Sequence, residues 1–283
     1  MKSCIIIPTH NEASFLKEVI LSYSNQTIRP SKVIIVDDNS TDETYKIAKE
    51  YSDTISWLEV IKNKSSISHL PGAKIISAFN FGLNSIDVNN YDFIGKFDAD
   101  IILPKNYFEK LSEIFSKSKK VGIAGGNLYI KEANKWVFEN ISNKKKVRGP
   151  IKLYRKECFN EIGGLKKSIG WDTVDELLAQ YHGWQIQTDE SLKVKHLKPT
   201  GKAYAKAAKY MQGEAFYKMR YGFWLTSIAS FKLAFNKKNI FFFIHCIQGF
   251  SKAKKNNIPF IVSEKEGVFI RHLRWVGIKK KLF

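Results

Sequence analysis

Three acidic clusters in this chain have residue types and spacings that could do chemistry. In the first, the apolar run Val33-Ile34-Ile35-Val36 leads into Asp37-Asp38-Asn39-Ser40-Thr41-Asp42. Asp37 or Asp38 could accept hydrogen bonds from a nucleobase N–H or from ribose hydroxyls, as acidic residues do in nucleotide sites. Helix capping by Ser40 or Thr41, with Asp42 and Glu43 at the positive helix end, explains the second half of the cluster. It does not explain two adjacent, mutually repelling carboxylates. In the second cluster, Phe93-Ile94-Gly95-Lys96-Phe97 is followed by Asp98-Ala99-Asp100. A spacing of two in an extended segment lets both carboxylates approach one cation or one diphosphate, and carboxylate oxygens suit Mg²⁺ or Mn²⁺. The third is Gly170-Trp171-Asp172-Thr173-Val174-Asp175-Glu176. On a helix starting near Asp172, the residues Asp172, Asp175 and Glu176 share a face. One of them could serve as a general base; equally, Asp172 could be an N-cap with Asp175 in the reciprocal position.

The elements that would position these clusters alternate. Strands are expected at Cys4–Pro8, Lys32–Val36, Ser56–Ile61 and Tyr91–Phe97, with helices at Ala13–Asn25, Thr41–Tyr51 and Gly72–Ser85 between them. Such alternation implies parallel pairing through crossover helices. The unbroken apolar runs Ile5-Ile6-Ile7 and Val33 to Val36 suit strands covered on both faces. The expected fold class is α/β, a doubly wound, mostly parallel sheet flanked by helices. Its ligands belong beyond the carboxyl ends of the strands, where Pro8 to Glu12, Asp37 to Asn39 and Asp98 to Asp100 fall. Further on, a helix is expected at Tyr107–Ser118 and strands at Val121–Tyr129 and Ile151–Arg155. A helix at Asp172–Tyr181 and two short strands, Ile186–Thr188 and Leu192–His196, complete this part. Beyond Pro199 the composition turns to Ala, Lys and aromatics, read as a mainly helical extension over 201–283.

Charge divides the chain in the same way. The formal net charge is +19, yet residues 1–140 hold 17 basic and 17 acidic side chains, so the whole excess lies in residues 141–283. That surface seeks an anionic partner. No recognised nucleic-acid motif accompanies it. The apolar stretches Tyr221 to Phe235 and Ile240 to Phe250 are too short to span a bilayer but have the aromatic and Lys-rich composition of an interfacial segment. A peripheral contact with an anionic membrane is expected, against the plainer reading of core helices with solvated lysines. Three widely separated cysteines argue against a disulfide framework or structural zinc and for a reducing compartment. The first strand-like run is too short for a secretory signal, so export is not expected.

Together these clusters resemble the family 2 glycosyltransferases, which have the GT-A fold. The resemblance rests on Ile7-Pro8-Thr9-His10-Asn11-Glu12, Val36 to Asp42, and Phe97-Asp98-Ala99-Asp100. It continues through Ala78-Phe79-Asn80-Phe81-Gly82, Glu161-Ile162-Gly163-Gly164-Leu165, and Asp172 followed by Gly183, covering roughly residues 3 to 200. It implies that Pro8, Thr9, Glu12, Asp37 and Asp38 hold the nucleotide of a nucleotide-sugar, with UDP favoured. Asp98 and Asp100 would bind ribose, diphosphate and Mn²⁺ or Mg²⁺, and His196 matches a histidine that helps hold the metal in similar enzymes. The base would be Asp172, with Asp175 as the alternative because Trp171-Asp172 stands where family members often carry Glu-Asp. Phe79 replaces an arginine often found before the matching asparagine.

The implied activity is inverting, metal-dependent transfer of a hexosyl or N-acetylhexosaminyl group. The acceptor would be a hydroxyl of a glycan or lipid-linked glycan in surface polysaccharide or glycoconjugate synthesis. Residues 1–104 would form the donor half, 105–200 the acceptor half, and the enzyme would work in the cytoplasm on the inner membrane face. Two other readings compete: a nucleotidyltransferase, although Pro8 to Glu12 contains no glycine, or a basic membrane- or nucleic-acid-binding protein on a degenerate transferase scaffold.

Overall fold

The computed structural model describes residues 1–65, 72–141, 143–198 and 209–282. The chain divides into two compact units, one of Met1–His69, Lys74–Leu165 and His182–Thr200, the other of Leu70–Ala73, Lys166–Tyr181 and Gly201–Phe283. Pro199 and the compositional boundary expected at residue 200 lie outside the described residues.

The first unit begins β1 (Ser3–Thr9), α1 (Ala13–Ser24), β2 (Lys32–Asp38), α2 (Thr44–Ser52), β3 (Leu58–Asn63), α3 (Ala73–Leu83) and β4 (Phe93–Phe97). It continues with β5 (Ile101–Ile102), α4 (Tyr107–Lys117), β6 (Val121–Glu132), β7 (Lys135–Phe138), β8 (Ile151–Arg155) and α5 (Lys156–Glu161). After α6 (Trp171–Tyr181), which belongs to the second unit, comes β9 (Gln185–His196). The strands form one nine-stranded sheet in the order β3-β2-β1-β4-β8-β6-β9-β5, with β7 paired to β6. Pairing is parallel from β3 to β4 and again between β6 and β9, and antiparallel elsewhere.

The α/β architecture expected from the alternating pattern is present. Every residue of β1 is buried, which is why its apolar run is continuous. In α1, Leu16, Val19, Ile20 and Tyr23 recur at helical spacing and are buried. The expected strands at 186–188 and 192–196 are one strand, because β6 pairs along its whole length through a register shift at Gly125/Asn127. The short elements β5, β7 and α5 have too few residues to show a period.

The second unit holds α6, α7 (Met211–Lys218), α8 (Gly222–Asn236), α9 (Ile240–Lys255) and α10 (Glu264–Leu282), so the described part of the extension is mainly helical, as expected. A reciprocal cap starts α10: Ser263 N–H donates to Glu266 Oε2 (2.6 Å) and Glu266 N–H to Ser263 Oγ (3.3 Å). Helices α7 and α9 approach so closely that a Cβ on Gly213 would sit 1.8 Å from Cys246 O, and one on Gly249 2.0 Å from Tyr210 O. Gly249→Ala should therefore force the helices apart and destabilise this unit by about 3 kcal/mol, read as a fall in its urea midpoint. Gly277→Ala, with nothing within 4 Å, is the control.

Candidate functional site

The turns after β1 and β2 are tied together. Asn11 and Asn39 both adopt left-handed backbone, with φ of 55° and 60°. Thr41 N–H donates to Asn11 Oδ1 (2.8 Å), Asn11 N–H to Ser40 Oγ (3.0 Å), and Glu12 N–H to Thr44 Oγ1 (2.7 Å). His10 Nδ1 lies 2.8 Å from Asp38 O. Asp42 thus serves the turn: desolvation would raise its pKa, but it accepts from the Thr44 hydroxyl and from Thr44 and Ala13 N–H, which together hold its carboxyl below the usual range.

Pro8, Thr9, Asp37 and Asp38 are all buried, and Thr9 lies opposite Asp37 across the β1–β2 ladder. Thr9 Oγ1 donates to Ile7 O (3.0 Å). Asp38 accepts from Asn63 Nδ2 (2.8 Å) and faces Lys74 Nζ (3.7 Å). Asp37 differs, because its buried Oδ1 has no hydrogen-bond partner among the described residues. A buried carboxylate oxygen without a donor is costly unless a ligand supplies one, and a nucleobase N–H or ribose hydroxyl has the required chemistry. Glu12 pairs with Lys198 (2.6 Å). Burial raises its pKa, Lys198 opposes that, and the nearby Asp100 and Asp98 raise it further.

The acidic pair follows β4 directly. Its second member is positioned by β5, where Ile101 pairs with His196 and Leu197 N–H donates to Asp100 O (2.8 Å). His196 Nε2 consequently lies 3.6 Å from Asp100 Oδ2, both groups being buried. On the other side, His196 Nδ1 is 3.1 Å from Glu139 Oε2, and Arg148 approaches the same oxygen at 3.5 Å. Glu139 reaches this place through the β6–β7 hairpin, since Glu139 N–H donates to Leu128 O (2.9 Å) and Ile130 pairs with His196. Burial alone would lower the His196 pKa, but the Asp100 and Glu139 carboxylates outweigh it and push it up to about 9. That stabilisation is complete below the ordinary 6.5 and is lost as pH rises through about 9. In chelator-treated protein the unfolding free energy should fall across that window by on the order of 3 kcal/mol at most, read as a lower melting temperature, and His196→Gln should flatten the slope.

Asp98 Oδ1 is engaged by Lys96 Nζ, a lysine buried in β4 whose cross-strand neighbour Lys152 is buried too. Asp100 and His196 offer one oxygen and one nitrogen ligand. That set fits Mn²⁺ or Mg²⁺, which draw the rest of their shell from water and phosphate. Among the described residues, no three His, Cys, Asp or Glu side chains form a ready-made metal cage.

In the second unit, α6 starts at Trp171, so Asp172 lies inside the first turn and is not its cap; Thr173 and Val174 N–H donate to Gly170 O (2.8 and 3.1 Å). Asp172 is part-exposed. Asp175 is buried, and its Oδ1 accepts Glu176 N–H (2.6 Å).

A family model described as Glycosyl transferase family 2 matches residues 4–166. The chain belongs to that family. Membership supports an enzyme. Among curated relatives of this family 2 chain, glycosyltransferase GlyA of Streptococcus pneumoniae is 28% identical over 128 residues, covering 45% of this chain and 17% of GlyA. The O-antigen chain rhamnosyltransferase RfbN of Salmonella typhimurium is 26% identical over 198 residues, covering 58% and 55%. The chain thus spans at most about half the length of these two relatives. Among solved structures, TarS 1–349 of S. aureus in complex with UDP-GlcNAc superposes with a TM-score of 0.60 at 21% identity, covering 78% of this chain and 65% of TarS 1–349. A Pyrobaculum calidifontis mannosyltransferase in complex with GDP-Man and Mn²⁺ gives 0.57 at 14% identity, covering 100% and 81%. These likenesses establish the GT-A fold.

Sequence reasoning missed Glu139, Lys96 and Lys198. Lys96 left a trace, a cation inside an apolar strand. Glu139 left none.

Proposed function

We propose that this chain is an inverting, divalent-metal-dependent glycosyltransferase of cell-surface polysaccharide assembly. It moves a hexosyl or N-acetylhexosaminyl group from a UDP-sugar to a hydroxyl of a glycan or lipid-linked glycan. Residues 1–104 serve the donor and 105–200 the acceptor, while 201–283 meets an anionic membrane from the cytoplasmic side. The observation that carries the reading is the unpartnered, buried Asp37 Oδ1 at the end of β2, in the same unit as the Asp100–His196 pair. TarS is solved with UDP-GlcNAc and with UDP, which favours uracil. The O-antigen role of RfbN favours a surface polysaccharide.

Pro8, Thr9, Glu12, Asp37 and Asp38 hold the nucleotide, with Asp37 accepting from the base or ribose. Asp98, Asp100 and His196 would hold the metal, which when bound offsets the negative charge on the departing diphosphate. Glu139 fixes the His196 ring, leaving Nε2 toward Asp100. Asp172 takes the acceptor proton, and in-line attack on the anomeric carbon inverts it while the nucleotide diphosphate leaves. Asp172 suits this better than Asp175 because it is part-exposed, where an acceptor hydroxyl can reach it, while Asp175 is buried. The test is nucleotide release from a panel of nucleotide-sugars with Mn²⁺. Release from a UDP-sugar supports the reading. Release from none, or pyrophosphate formation from a nucleoside triphosphate and sugar phosphate, overturns it.

A further inference from the structure

Helices α8 and α9 each bury one face and leave the other bare. The buried face of α9 carries Cys246, Gly249, Phe250 and Ala253, and that of α8 carries Leu225, Thr226, Ser230 and Ala234. On α8 the opposite face presents Trp224, Ile228, Phe231 and Phe235, at the i, i+4, i+7, i+11 spacing of a single stripe. Trp224 is 74% exposed and Phe235 77%. The start of α9 adds Ile240, Phe241 and Ile244, also exposed. The Phe231 and Phe243 rings, 6.3 Å apart, join the two helices on this side. A contiguous patch of large apolar side chains is not left in water without a partner.

The surrounding charge identifies the partner. From residue 215 to residue 263 the sequence contains eight Lys and Arg and no carboxylate. Lys237 and Lys238 lie in the turn joining the helices, the first with its ammonium 5.0 Å from the Phe242 ring centre. A second copy docking on this face would bring the two sets of cations together with no acidic residue of the segment to offset them. An anionic bilayer satisfies both features. Aromatic rings settle at the headgroup level, and lysine stems lie along apolar surface with their ammoniums in the phosphate layer. With 15 and 16 residues the helices can enter the interface but not span it, and no described helix is long and apolar enough to cross a membrane.

We propose that the α8–α9 hairpin inserts Trp224, Phe231, Phe235 and Phe241 into the interfacial region of an anionic phospholipid membrane. The inference rests on the membrane contact stated above and names the segment that enters. The full chain should sediment with phosphatidylglycerol-rich vesicles and far less with phosphatidylcholine alone. A fraction should persist at about 1 M salt, where the Debye length is about 3 Å. Replacing Trp224 and Phe235 together with Ser should reduce that salt-resistant fraction at least about tenfold, with nucleotide-sugar turnover in solution unchanged. Brominated acyl chains should quench emission that Trp224→Phe removes, a readout that does not depend on the Ser variant folding.

Equal sedimentation with both lipids, native-like salt-resistant binding by the Ser variant, or no Trp224 quenching overturns the proposal. So does a solution dimer that the Ser substitutions dissociate while vesicle binding is absent. Failure of nucleotide release with intact vesicle insertion would strike the transferase reading and leave this one standing.

Discussion

Asp172→Asn should leave the nucleotide-sugar bound and lower sugar transfer by about 10²- to 10⁴-fold. The amide keeps the shape of the carboxylate but cannot take a proton from the acceptor hydroxyl. Asp172 sits part-exposed in the first turn of α6, whereas Asp175 is buried and accepts the Glu176 amide. The two Asn variants should therefore separate. Asp172→Asn lowers turnover with donor affinity unchanged by calorimetry, while Asp175→Asn disturbs the helix start and shows first as a lower melting temperature. If Asp175→Asn loses transfer without losing stability, and Asp172→Asn retains it, the base lies one helical turn further on.

A second large effect belongs to Asp100. Asp100→Ala should cost about 10²-fold or more in metal-dependent turnover, the loss expected when charge stabilisation of several kcal/mol disappears. The backbone of the site should persist, because the contact between Leu197 N–H and Asp100 O involves no side chain. The His196 pKa should fall as well, since Asp100 is one of the two carboxylates that raise it, and an NMR titration of the ring would show this without any activity measurement. Unchanged turnover of Asp100→Ala in saturating Mn²⁺ would remove the residue from the metal site.

How far these residues could be read from the sequence depended on whether their partners are local. Asp37 and Asp38 stand at the end of an unbroken apolar run, and Asp98 and Asp100 after a largely apolar one that Lys96 interrupts. A buried strand ending in carboxylates is visible in a few consecutive letters. The crossover helices were equally plain, because Leu16, Val19, Ile20 and Tyr23 repeat at helical spacing. Glu139 was invisible for the opposite reason. Its contact with His196 spans 57 positions and depends on the β6–β7 hairpin and the β6–β9 register together. Lys198 against Glu12 spans 186 positions. In α8 and α9 the sequence is apolar on nearly every side, so no period could tell the packed face from the bare one. Packing against α7 across Gly213 and Gly249 decides it for α9.

The bonds joining the turns after β1 and β2 bear on how this protein can change over generations. Asn11 and Asn39 each hold a backbone shape that few residues tolerate, and each loop supplies acceptors for the amides of the other. A substitution accepted in one loop must still match its counterpart some thirty positions away. The two are heritable as a pair. Anyone grafting one of these loops from a relative would have to move both at once, since a chimera carrying one of them would strand the amides of the other.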